Sequence, residues 1–334
     1  MQLWDLRAPP VGALTWPVAV DKTGKAGPTP GQARGPRWRR TSVNRYVPTT
    51  VTDTLVEQRI LEQYSRAGSR AVVTGWAALR LHGADYFDGL DLDGQARLPV
   101  PLACNGERVQ AHTDFLMLRY TVPPDEVVLV HGIRCARVER ALYDEMRRRR
   151  SSRAMVVAAD MTFAAGLTSI SRMRRYCAER RWYRDVRRVN EALGMCDEHA
   201  RSGPEVTFRL IWQYDAGWGH PICNRSVFDL EGRFVAIPDL IDPDRGVVGE
   251  FAGAHHRDID RHESDIAREA DLRDVGLEYV EAVGRDLRHV SRVVNRLHEA
   301  ERRARASPLP RRWVLGPPPS PTLDELLDRR GGVE

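Results

Sequence analysis

Lysine is nearly missing from this chain. Only Lys22 and Lys25 occur among 51 basic residues, so no lysine ammonium is available to chemistry in the rest of the sequence. Also absent is any apolar run of the roughly 18–20 residues that a helical membrane span needs. The start, Met1-Gln2-Leu3-Trp4-Asp5, lacks the basic opening and apolar core of a signal peptide. Five cysteines (Cys104, Cys135, Cys177, Cys196 and Cys223) lie far apart with no C-x-x-C pair. That argues against a disulfide-stapled scaffold and for reduced thiols in a cytoplasmic protein.

What is present is arginine. The 334 residues carry a formal charge of +5, almost all of the positive charge on guanidinium groups. A GC-rich genome gives the same bias. Arginine also suits phosphate, because its planar fork binds two oxygens at once, and on that ground DNA is a candidate partner. The length is enough for two domains with real cores.

Along the chain, residues 1–50 are rich in Pro, Gly and Ala with little periodicity and read as an irregular arm. Residues 51–200 read as a small α+β domain. Leu55, Val56, Ile60, Leu61 and Tyr64 have helical spacing after Thr52 or Asp53 as candidate caps. A second helix follows Thr74 and stops at Gly83. Short apolar runs between 97 and 138 read as strands, and three helices are expected over 138–150, 152–165 and 169–199, the last one broken.

Residues 201–306 restart the pattern. Ser202-Gly203-Pro204-Glu205 has the form of a capping box. Strands follow around 223–230, 234–240 and 247–251, then a polar helix ending at Gly276, a strand over 277–283 and a last helix. This order predicts an α/β mixed sheet flanked by helices, with the first three strands as an antiparallel meander. Residues 307–334 read as a tail. Within this half, Asp239 ends one short strand and Glu250, eleven positions on, lies inside the next. Two carboxylates so placed suit Mg²⁺ or Mn²⁺, which bind through one or two carboxylates plus substrate phosphate oxygens.

In this spacing the segment resembles the PD-(D/E)xK superfamily, the restriction-endonuclease-like fold, and in particular the domains related to very-short-patch-repair endonucleases. Glu205, Asp239, Glu250, Gly253, His256, Asp265, Arg268 and Gly276 follow that family's order. The resemblance implies a metal held by Asp239 and Glu250, water activated by His256, and DNA as substrate. Ala252 stands where the family has a lysine or an acid, and the departure falls on the metal and proton-handling position. Less specifically, Thr74 to Gly83 and Val138 to Asp144 resemble helices of AbiEi-type antitoxin and regulator proteins. That resemblance implies action through DNA or a protein partner, although the first fifty residues show no winged helix.

Each candidate has a plainer reading beside it. Asp239 sits next to a turn, where aspartate is common for local reasons. Glu250 lies among Val247, Val248 and Phe251, where a carboxylate needs a metal or a cation such as Arg268. Glu205 is either a cap or a third ligand. Of the adjacent histidines, His256 matches the family position and His255 reads as surface. Asp265 and Arg268, three apart on a helix, form either a surface pair or a support for the site. The run Arg172, Arg174, Arg175, Arg180, Arg181, Arg184, Arg187 and Arg188, interleaved with Tyr176, Trp182 and Tyr183, suits phosphate contact with base stacking; a solvated helical face would look the same. The combined expectation is a DNA-binding protein with a nuclease-like fold whose phosphodiester hydrolysis is weakened or lost. The alternative is a non-enzymatic regulator or antitoxin-like protein.

Overall fold

A computed structural model describes residues 14–91, 94–107, 112–253 and 268–331. The chain forms two compact units, one built from the described residues up to Arg150 together with 165–190, the other from 151–164 and from Glu191 onward. Among the described residues no helix is long and apolar enough to cross a membrane. The class is α/β, with mixed sheets and flanking helices.

The first unit opens on a hairpin, β1 (Trp38–Ser42) with β2 (Arg45–Pro48), where composition alone suggested an irregular arm. Its anchor is a charge pair rather than an apolar stripe: Arg39 reaches Glu62 of α1 (Val56–Arg66) at 2.6 Å. Helix α1 begins later than expected, with Leu55 at its N-cap and no side-chain cap, so neither Thr52 nor Asp53 serves there. A five-stranded sheet follows, from β3 (Val72–Val73), β4 (Val100–Ala103), β5 (Phe115–Leu118), β6 (Val127–Val130) and β7 (Ile133–Ala136), in the order β5-β4-β3-β7-β6. Helix α2 (Gly75–Leu81) is capped from outside: Glu145 of α3 (Val138–Arg148) accepts from Trp76 N at 3.0 Å. The Thr74 hydroxyl donates instead to buried Asp144 at 2.8 Å.

Helix α4 (Ser152–Ala164) belongs to the second unit. The expected break over 169–199 is real, giving α5 (Ile170–Glu179) and α6 (Val186–Leu193), with Asp185 in a left-handed conformation (φ 66°) between them.

In the second unit α7 (Gly203–Leu210) runs on into a π turn, Ile211–Asp215. Strands β8 (Ile222–Cys223), β11 (Leu240–Asp242), β12 (Val247–Ala252) and β13 (Glu278–Val283) form a sheet in the order β13-β12-β11-β8. Pairs β8/β11 and β11/β12 are antiparallel, and β12/β13 is parallel. The simple three-strand meander is therefore replaced by a longer path. Between β8 and β11 the chain leaves this sheet, and β9 (Val227–Asp229) and β10 (Phe234–Ala236) pair in a separate one. Two residues account for the break: Asn224 adopts a left-handed φ of 48° at the end of β8, and Pro238 has no N–H to donate to a ladder.

One face of the four-stranded sheet packs Leu240, Val247, Val280 and Ala282 against Phe208, Trp212 and the inner side of α8 (Val290–Ala306), where Val293, Leu297 and Ala300 are buried. The other face packs Ile241 and Val248 against Leu272, Leu277 and Trp313. Leu272 lies in the helical residues 268–274, which end as expected at Gly276 (φ 87°). The last stretch is docked: β14 (Trp313–Leu315) pairs with β9, and α9 (Leu323–Gly331) follows.

Candidate functional site

The site grows from the β11/β12 register. Leu240 faces Gly249, so continuing the antiparallel ladder by one residue sets Asp239 opposite Glu250. Side chains alternate across a strand, which puts both carboxylates on the same face as Ile241 and Val248. Asp239 Oδ2 accepts from Phe251 N at 2.8 Å, fixing the carboxylate across the strand pair, and its Oδ1 carries no hydrogen bond among the described residues.

Glu205 joins them from the first turn of α7. The capping box is half formed: Ser202 Oγ accepts from Glu205 N at 3.3 Å, while Glu205 Oε2 accepts from Arg201 N at 3.0 Å. The same oxygen accepts from Asn224 Nδ2 at 3.3 Å. Cap and site contact are therefore not alternatives for Glu205, because one carboxylate does both.

The three acids feel one another's charge. Burial first, then the negative charge of Glu205, push the Asp239 carboxyl up to about 7. Glu250 adds to the push, while the Phe251 amide and the Arg268 guanidinium oppose it. Glu250 itself is held from two sides: Arg268 Nη2 lies 2.7 Å from its Oε1, and the Tyr279 hydroxyl donates to its Oε2 at 3.4 Å. Arg268 Nη2 also donates to Ile237 O at 2.5 Å, so its guanidinium ties β12 to the segment that leads into β11. Burial and the Glu250 charge raise the Tyr279 phenol far above its usual range, which keeps it a neutral donor.

Ala252 ends β12 on the same face as Glu250, opposite Val283 of β13. A methyl group there offers neither a ligand nor a proton carrier. His255, His256 and Asp265 lie outside the described residues.

The sequence pattern did not single out Asn224 or Tyr279. Asn224 N donates to Asp239 O at 3.0 Å and its amide reaches both Glu205 and His199 O, so one residue ties the two acids together. The signal available was a polar residue following the apolar pair Ile222-Cys223. Tyr279 had none beyond its place in a strand.

The arginine run lies in α5, the following turn and α6, and it divides by partner. Arg180 is engaged by Glu126 and Glu179, and Arg188 Nη2 donates to Arg149 O at 2.6 Å. Arg172 N is capped by Ser169 Oγ, and its half-buried side chain lines a cavity of about 250 Å³ with Arg175, Arg180 and Glu126. Arg174, Arg175, Arg181, Arg184 and Arg187 are exposed, and Trp182 presents 79 % of its surface among them.

No family model, curated protein or solved structure matches this chain.

Proposed function

We propose that this is a DNA-binding protein whose second unit is a restriction-endonuclease-like domain with weakened or lost phosphodiester hydrolysis. The observation that carries the reading is the convergence of Glu205, Asp239 and Glu250 on one end of a mixed sheet, with Asp239 pushed up to about 7 by burial and by its acidic neighbours. Carboxylates forced together without a cation repel, and a hard divalent ion relieves that repulsion. By residue type these oxygens suit Mg²⁺ or Mn²⁺, with Asp239 and Glu250 as the proposed ligands and Glu205 behind them. Such an ion, when bound, would draw in a phosphate oxygen and polarise it.

The chain's own residues supply less of what cleavage needs. Ala252 cannot orient water or stabilise charge building on phosphate. Arg268 is placed to do the second but cannot take a proton, since guanidinium stays charged. It also neutralises Glu250 without any metal, and this favours a second reading in which the site is a remnant and the protein acts as a non-enzymatic regulator or antitoxin-like protein. The exposed Arg174, Arg175, Arg181 and Arg184 beside Trp182 support phosphate contact with base stacking under either reading.

The test is to measure binding and cleavage on the same DNA, duplex and single-stranded, with Mg²⁺ or Mn²⁺. Salt-sensitive binding with cleavage absent or far below that of an active nuclease is expected. Robust metal-dependent cleavage abolished by Glu250→Gln would contradict the weakened site, and salt-independent or absent binding would contradict DNA as the partner.

A further inference from the structure

On the same unit, beyond the acidic site, lies a second group of ligand-type side chains. Asp197 follows α6, and His220 and Cys223 flank and end the short strand β8. One carboxylate oxygen of Asp197, a ring nitrogen of His220 and the Cys223 sulfur all lie within 4.8 Å of one another. These are a hard oxygen, an imidazole and a sulfur, the mixture that a borderline ion such as Zn²⁺ accepts and that Mg²⁺ does not.

We propose that Asp197, His220 and Cys223 form a Zn²⁺ site that braces β8 against the loop after α6. The support around them is that of a metal centre. In such sites the ligand side chain's other polar atom, facing away from the ion, is held by a neighbour, which fixes the side chain's orientation. Asp197 Oδ1 accepts from His199 N at 2.7 Å and faces His199 Nδ1 at 3.1 Å, leaving Oδ2 turned towards His220. His220 Nδ1 faces Gln213 Oε1 at 3.3 Å, and that oxygen is itself approached by Arg209 Nη1 at 3.4 Å. Nε2 is thereby aimed at the cluster, 2.8 Å from Asp197 Oδ2. Asp197 N donates to the fully buried Asp160, which is paired with Arg209 at 2.6 Å. Cys223 is buried and held in register opposite Leu240.

Zn–N and Zn–O bonds of about 2.0–2.2 Å and a Zn–S bond of about 2.3 Å set tetrahedral ligands roughly 3.4 Å apart. The Asp197–His220 contact, 2.8 Å, would open by about half an ångström, and the sulfur, within 4.8 Å of both, would close in by at most about 1.3 Å. Three protein ligands leave a fourth position for water. Binding releases the Cys223 proton to solvent, with no change of oxidation state. The site would stiffen the chain leading into Asn224, the residue that ties Glu205 to Asp239.

The test uses the full-length protein. Zinc is measured after gel filtration, and stripped protein is titrated with Co²⁺ while its absorption is followed. About one Zn²⁺ per chain is expected, together with a near-ultraviolet thiolate-to-Co²⁺ band. Cys223→Ser should abolish the band, and His220→Gln, at an exposed position that leaves the fold intact, should weaken Zn²⁺ binding at least tenfold. Glu250→Gln should change neither. The proposal is overturned if folded native protein retains no zinc, gives no thiolate band and melts at the same temperature with and without stoichiometric Zn²⁺. It is equally overturned if zinc binds and His220→Gln leaves its affinity unchanged, since the ion would then be held elsewhere.

Discussion

At the scale of single residues, Asp239 has the most to report. Its carboxyl is pushed up to about 7, above its value in an unfolded chain, so the folded protein binds the extra proton. Its contribution to stability is therefore complete below the ordinary carboxylate range and is lost as pH rises through about 7. The metal-free protein should weaken between pH 5 and pH 8, and Asp239→Asn should flatten that slope and raise stability at pH 8. Urea denaturation of both proteins at the two pH values measures this; parallel pH profiles would show that Asp239 is not the group responsible. Ala252 makes the second prediction. Ala252→Asp or Ala252→Lys should raise DNA cleavage in Mn²⁺ if only the ligand and proton carrier are missing, and a nuclease assay reads it directly. Asp239 and Glu250 were legible in the sequence because an antiparallel pair joined by a short turn fixes which residues face each other. Asn224 was not, because its role depends on a left-handed backbone and a contact nineteen residues away with Glu205. His256 and Asp265, which the family pattern also singles out, lie outside the described residues.

At the scale of elements, α7 and β12 carry the site between them, and both rest on close packing. A β-carbon on Gly249 would come within 2.8 Å of Phe208 and 2.9 Å of Trp212. Gly249→Ala should therefore push β12 away from α7 and cost about 1–3 kcal/mol, with a fall in melting temperature as the readout. Ser202→Ala removes a single N-cap bond and should cost only about 1 kcal/mol. Helix ends were the readable part of the pattern here: Ser202 and Gly276 both act where their residue types predicted. The strands were less readable. Apolar runs at 223–230 and 234–240 look continuous, yet each divides between two sheets. The break rests on the conformation of Asn224 and on the missing N–H of Pro238, neither of which alters hydrophobic periodicity. The three ligand-type residues Asp197, His220 and Cys223 escaped notice because a search for paired cysteines does not find an H-x-x-C spacing joined by a distant aspartate.

At the scale of the whole molecule, the excess of arginine becomes a question of which guanidinium groups have no other duty. Arg180 sits on Glu126 and Arg188 on a main-chain carbonyl, so Arg180→Gln should lower the melting temperature. Arg174, Arg175, Arg181 and Arg184 are exposed; Arg181 Nε donates to Ala178 O at 3.2 Å and Arg184 lies 3.7 Å from Asp185, surface contacts of little weight, so replacing all four with Gln should change stability little. Each that contacts a phosphate should flatten the log–log salt dependence of DNA affinity by about 0.9 on duplex. An unchanged slope would reduce the run to a solvated face. Independent of the arginines is the proposal that Glu205, Asp239 and Glu250 are gathered for a divalent ion, and calorimetric titration of Mn²⁺ into metal-stripped protein at pH 8 tests it. One saturable site is expected in the native protein, tighter at pH 8 than at pH 6 because the ion must displace the Asp239 proton, and lost in both Asp239→Asn and Glu250→Gln. No binding heat at either pH, with a melting temperature indifferent to Mn²⁺, would contradict it.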